Sequence, residues 1–178
     1  NSETQFKYIK TSIDYALKNK KYKLAALAYQ KYAMEFLFKA NDGFGNKNEL
    51  IKQGQLNLYK AKYYNSLAND DATLYNIYYS IIKLHNILLQ NQDSALFYVE
   101  KSYALAKLKN NTYDIFTSLV NKAEVYKHQK KHLKAIEVLK MANELPITKY
   151  VNKSRSVNFL FLSGNYRRIG DYKNAYYA

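Results

Sequence analysis

The stretch "SLVNKAEVYKHQKKHLKAIEVLKMANELP", residues 118–146, decides the fold. Leu119, Ala123 and Tyr126 fall at i, i+4 and i+7, the spacing of one helical face. The polar run "KHQKKH" (127–132) interrupts that face. Ala135, Leu139 and Ala142 then repeat the spacing, while Lys134, Glu137, Lys140 and Glu144 supply the polar remainder. Pro146 stops the second helix, because proline disfavours helical backbone in the residue before it. The stretch therefore predicts a helix, a tight turn and an antiparallel helix. Ala123, Ala135 and Ala142 are placed where the two helices cross closely, and Tyr126 and Leu139 where bulk fills the space between them.

The same order of residues recurs along the chain. Forty residues on, Tyr166, Tyr172 and Ala175 stand where Tyr126, His132 and Ala135 stood, and Leu162, Ser163, Gly170 and Asp171 complete the unit. An earlier copy reads Leu84, His85 and Leu88, then Ala95, Val99 and Ser102, with a turn two residues shorter. The opening copy reads Tyr22, Ala25 and Tyr29, with Ala16 in a large position and Tyr32 in a small one. A fifth unit, around Ala61 and Ala68, is the weakest, and Gly54 and "NDGFGN" (41–46) are expected to disturb its first helix. The marker alanines 25, 61, 95, 135 and 175 lie 36, 34, 40 and 40 residues apart. The surplus of the later spacings is close to two helical turns and is expected to lengthen helices without altering their stacking.

Composition agrees with helices. Of 178 residues, 48% are apolar and 24% charged, a folding rather than a disordered balance. One proline and five glycines leave little support for a turn-rich β-fold. The absence of cysteine removes disulfides, thiolate metal sites, iron–sulfur clusters and cysteine nucleophiles together. The formal charge is +14, which by itself suggests an anionic partner. Yet the basic residues are 25 lysines and only three arginines, Arg155, Arg167 and Arg168. Readers of phosphates and bases depend on the planar fork of arginine, and lysine, asparagine, tyrosine and isoleucine share A/T-rich codons. Base composition of the gene is the plainer reading of the charge. The densest apolar run, "VNFLFL" (157–162), is far short of the ~18 residues of a membrane span.

The chain resembles the tetratricopeptide repeat (TPR), whose pattern of small and large residues matches the units above over essentially its whole length. The resemblance implies an all-α fold, an α-α superhelix of antiparallel helix pairs with about five repeats, the last truncated. Residues 1–178 would form a single helical-repeat domain. The apolar stripe after Ala175 breaks off at Ala178, so the natural protein is expected to continue. Each hairpin of such a solenoid buries its apolar face on its neighbours, and first helices line a groove. Groove positions would be Tyr79, Lys83 and Asn86, then Asn121, Glu124 and Lys127, then Arg167 and Arg168, a mixed wall suited to a peptide. One TPR subclass clamps a C-terminal carboxylate with lysine and asparagine. Asn121 fits one of those positions, but Leu160 and Phe161 stand where polar groups are needed.

The remaining candidates have simpler readings. His128 and His132 form H-x3-H, but they straddle the turn, with no third ligand evident and no glutamate of a zinc-protease motif between them. His85 reads as a packed or partly exposed histidine. "NDGFGN" lacks phosphate-loop and calcium-loop signatures and reads as a connecting loop. Asp70 and Asp71 in "NDDATL" read as a helix N-terminus rather than a paired-carboxylate site.

These readings lead to a non-enzymatic module without metal or cofactor that binds a protein or peptide. Its long tyrosine- and lysine-rich repeats resemble those of bacterial TPR-containing sensor histidine kinases and transcriptional regulators. That resemblance implies two-component signal transduction, with a periplasmic location for a membrane-bound sensor and a cytoplasmic one otherwise. Self-association through the terminal repeat is a further expectation, and no membrane contact by this segment is expected. The alternative is a basic helical-repeat protein that binds nucleic acid.

Overall fold

In a computed structural model that describes residues 2–146 and 149–178, the described chain is all-helical, without strands. Its helices are α1 (Ser2–Lys18), α2 (Tyr22–Asn41), α3 (Lys47–Ala68), α4 (Asp71–Lys83), α5 (Gln92–Leu108), α6 (Thr112–His128), α7 (His132–Asn143), α8 (Lys149–Arg168) and α9 (Tyr172–Tyr177). A π-helical turn, Leu84–Leu88, continues α4. The chain divides into two compact units, Asn1–Gln90 and Asn91–Ala178.

One turn recurs with the same construction. Lys20, Asn69, Gln90, Asn110, Lys130 and Gly170 all take left-handed backbone, with φ of 52°, 50°, 51°, 51°, 60° and 79°. Each is followed by the N-cap of the next helix: Lys21, Asp70, Asn91, Asn111, Lys131 and Asp171. In four of these turns the cap amide reaches back five residues, as in Lys21 N to Ala16 O at 2.8 Å, Asn111 N to Ala106 O at 3.0 Å, Lys131 N to Tyr126 O at 2.8 Å and Asp171 N to Tyr166 O at 3.0 Å. That bond satisfies carbonyls which a helix end otherwise leaves without partners. Asp70, Asn91, Asn111 and Asp171 also accept an amide hydrogen bond on their side chains, so the expected capping role of "NDDATL" is present.

The marker alanines sit at a fixed place after this turn. The amides of Ala25, Ala95, Ala135 and Ala175 donate to the carbonyls of the caps Lys21, Asn91, Lys131 and Asp171, and all four alanines are buried. A larger side chain there would hold the second helix off the first.

Ala61 is the exception, and here the expected fifth unit is corrected. No turn precedes it: α3 runs unbroken from Lys47 to Ala68, through Gly54. The loop before α3 does hold the two left-handed glycines of "NDGFGN", Gly43 at φ 78° and Gly45 at φ 82°. Asn46 then caps α3 by accepting from the Glu49 amide. Gly54 does not break the helix because it serves the crossing with α2. A Cβ built there lies 2.8 Å from Leu37 Cγ, nearer still to Leu37 Cδ2, and 3.5 Å from the Ala33 carbonyl oxygen. Close approach of two backbones is a use of glycine that does not interrupt a helix.

In the first unit α2 packs on α1, α3 and α4. It therefore buries residues around much of its circumference, and most are small: Ala25, Ala26, Ala28, Ala33 and Ala40, beside Tyr29 and Leu37. Tyr32 fits its small-residue position by turning edge-on between two rings, 5.3 Å from Phe6 and 5.0 Å from Phe36. Tyr64 of α3 stacks on Tyr29 at 5.4 Å and 4° and on Tyr22 at 6.3 Å and 17°.

The second unit places α6 against α5, α7 and α8, and α8 against α7 and α9. Leu119, Ala123, Ala135, Leu139 and Ala142, the residues of the opening pattern, form its core with Phe116, Ile136, Val138 and Leu162. Tyr126 and Tyr166 pack on this core from its edge.

Candidate interaction surface

The eight groove residues fall into two groups, one in each unit. Tyr79 and Lys83 lie on α4, with the Lys83 ammonium 5.5 Å from the centre of the Tyr79 ring. Asn86 lies in the π-helical turn and is only 1% exposed. In the second unit Asn121, Glu124 and Lys127 are on α6, and Arg167 and Arg168 are in the last turn of α8. Asn121 is 4% exposed, so it and Asn86 belong to the packing and offer no amide to a ligand.

What remains in the second unit is a surface shared by two neighbouring helices. α6 and α8 pack on each other as well as on α7. The Lys127 ammonium sits 5.4 Å from the centre of the Phe161 ring, an attraction to the ring's negative face that ties the helices together at the surface. Glu124 is half-buried one turn before Lys127, and Arg167 and Arg168 are exposed. Their charge at the C-terminal end of α8 is favoured by the helix dipole. The wall so formed carries two guanidinium groups, one ammonium, one carboxylate and an aromatic face.

His132 is engaged in packing: its Nδ1 lies 2.9 Å from Asn165 Oδ1, between α7 and α8. His128 ends α6 and His132 begins α7, so the two do not share a helix face. No group of three or more metal-ligating side chains occurs among the described residues. Burial pushes the His85 imidazole below its ordinary range.

Sequence reasoning missed a polar knot between α7 and α8. Arg155 Nη2 donates to the carbonyls of Asn143 at 2.8 Å and Leu145 at 2.7 Å, closing the C-terminal end of α7 from the neighbouring helix. Asn158, fully buried, donates to Leu139 O at 3.0 Å and Asn143 Oδ1 at 2.6 Å. The only signal was the rarity of arginine. The first unit also holds an open cleft of about 660 Å³ between α1 and α2, lined by Tyr8, Ile9, Met34 and Phe38 with Gln30 and Glu35.

The clearest electrostatic perturbation is structural. Lys23 Nζ lies 2.7 Å from Asp70 Oδ2, and the hydrogen bonds from Lys23 and Thr73 hold the Asp70 carboxyl at about 2. Burial raises the Asp114 carboxyl and the Tyr29 phenol, and hydrogen bonds from Asn174 lower Asp171. No helix among the described residues is long and apolar enough to cross a membrane. Comparison with protein-family models finds no match, and comparison with curated proteins finds none.

Proposed function

We propose that the chain is a non-enzymatic, TPR-like helical-repeat module that binds a protein or peptide. The recurring turn carries this reading: left-handed residue, N-cap, then a buried alanine four residues on, at Ala25, Ala95, Ala135 and Ala175. A chain that repeats one hairpin in this way spends its core on stacking and exposes long helix faces, which suit extended or helical peptides. Within the second unit the binding wall is Glu124, Lys127, Phe161, Arg167 and Arg168. Its mixture of charges and one aromatic face suits a peptide bearing a carboxylate and an apolar side chain. In this reading the module is the sensory or interaction region of a bacterial signal-transduction protein, a sensor kinase or transcriptional regulator. It passes a ligand-induced change in helix stacking to an output domain.

Selection of a displayed random-peptide library on the 178-residue chain tests the proposal. Enriched peptides should bind the purified chain, and the double substitution Lys127→Glu with Arg167→Glu should weaken them about tenfold or more. Failure to enrich any sequence, or enrichment indifferent to both substitutions, would overturn the assignment of this wall. Tighter binding of a mixed-sequence DNA or RNA oligomer, falling steeply with salt, would replace it with the nucleic-acid reading.

A further inference from the structure

We infer a second docking surface, on the outer face of α3, for an acidic amphipathic helix of another protein. It rests on different residues from the wall above and stands or falls separately. α3 has two apolar faces. Ile51, Gly54, Leu58 and Ala61 form the buried one, against α2. On the opposite side Leu56, Tyr59, Tyr63 and Leu67 are 47%, 72%, 59% and 48% exposed. Their spacing of three, four and four residues places them within about 80° of arc at 3.6 residues per turn. The row is about 16 Å long at 1.5 Å per residue. A helix that packs on one side alone ordinarily turns a polar face outward, and a contiguous apolar row in that position marks a contact surface.

The surrounding charge selects the occupant. Lys52 extends the row by one turn, and Lys60 and Lys62 lie along its two edges, all three exposed. The single acidic residue of α3, Glu49, is two turns from Leu56 and is bonded to Gln53. No lysine ammonium covers Tyr59 or Tyr63 among the described residues, although eight other rings are covered in this way. A second copy of this chain would bring lysines against lysines on a protein that carries +14. A partner helix with apolar residues at matching spacing and carboxylates on both edges fills the row and neutralises its rim.

A fluorescent, helix-stabilised peptide of about five turns, with four leucines in the matching row and glutamates at its edges, is titrated with the 178-residue chain by anisotropy. Saturable binding is expected, weakened about tenfold or more by Tyr63→Ser with Leu67→Ser. The same peptide with lysines for glutamates should bind at least about tenfold more weakly. Both side chains are about half exposed or more, so the urea midpoint of the double variant should stay at the parent value. Lys127→Glu with Arg167→Glu should leave the affinity unchanged. Absence of binding, equal binding of both peptides, or indifference to the α3 substitutions would overturn the inference. So would a Tyr63-dependent dimer in sedimentation, or Tyr63-dependent binding to phosphatidylglycerol vesicles in place of the peptide, since either names a different occupant.

Discussion

Replacing Gly54 with alanine sets two effects against each other at one atom. Alanine in a helix interior is favoured over glycine by roughly 0.5–1 kcal/mol, so an open helix would gain stability. At position 54 the new methyl would stand 2.8 Å from Leu37 Cγ, closer to Leu37 Cδ2, and 3.5 Å from the Ala33 carbonyl oxygen. Carbon atoms rest comfortably at about 3.5–4.0 Å. Leu37 is 4% exposed and has no solvent to swing into. Overpacking of this kind costs about 1–3 kcal/mol, so a net loss of about 1 kcal/mol is expected for Gly54→Ala.

The test that separates crowding from a general intolerance is the second background. Leu37→Ala alone should cost about 2–5 kcal/mol through lost burial and the space it leaves. In that background the obstacle is gone and the methyl introduced by Gly54→Ala occupies part of the space. The substitution should then stabilise, by about 0.5–1 kcal/mol from helix propensity together with the restored contact. Urea unfolding followed by circular dichroism at the helix band gives all four corners of the cycle, with the slope checked for constancy. A raised midpoint for Gly54→Ala in the parent background would refute the close α2–α3 crossing, and with it the reason α3 runs unbroken past a glycine.

Three further outcomes follow from single sites. Lys130→Gly should stabilise by about 0.5–1 kcal/mol and Gly170→Ala should destabilise by a similar amount, because the two equivalent turns both require left-handed backbone; equal signs in urea unfolding would show that the turns are not equivalent. Arg155→Met should cost about 2 kcal/mol by leaving the carbonyls of Asn143 and Leu145 without a donor, and should speed amide exchange at the end of α7 relative to the rest of the second unit. Asp70 titrates at about 2 when folded against an ordinary value of 3.8, so its charged form stabilises the fold above about pH 4 and that contribution disappears as pH falls toward 2. The Lys23 partner is exposed, which limits the charge pair to under about 1 kcal/mol. Asp70→Asn keeps a cap acceptor, so it should be slightly less stable than the parent at pH 7 and indistinguishable from it near pH 2. A gap that widens in acid would reverse the sign.

The hairpins were legible because their chemistry is local. A tyrosine, a polar turn and an alanine nine residues on specify the end of one helix, a left-handed step and the close packing of the next, as Tyr126 to Ala135 and Tyr166 to Ala175 show. Ala61 carries the same residue type at nearly the same spacing, yet no left-handed residue or cap stands before it, so the marker lies within a helix. Gly54 reads as a breaker from sequence because its purpose depends on Leu37, seventeen positions away and on another helix. Asn86 and Asn121 were placed on a groove by periodicity. Their burial depends on neighbouring helices, which a single-helix stripe does not contain. The Arg155 and Asn158 knot was invisible for the same reason, since its partners are backbone carbonyls with no residue signature.

The abundance of lysine also acquires a local account. Lys83, Lys101 and Lys107 lie over rings four residues earlier on the same helix, Tyr79, Phe97 and Tyr103, at 5.5, 4.8 and 5.7 Å. Lys39, Lys60, Lys127 and Lys140 reach across to Phe6, Tyr29, Phe161 and Tyr166 on other helices. Each such contact contributes about 0.5–1 kcal/mol at an exposed site and keeps water off an aromatic face while leaving the charge solvated. A thin helical array rich in tyrosine cannot bury every ring, and an ammonium held over the face is a way to leave one near the surface without creating an adhesive patch. On this account the charge follows the aromatic residues, spread over several helices. The outer row of α3 departs from that arrangement: no ammonium covers its rings and its lysines stand to the side, which is the physical reason to look for a partner there.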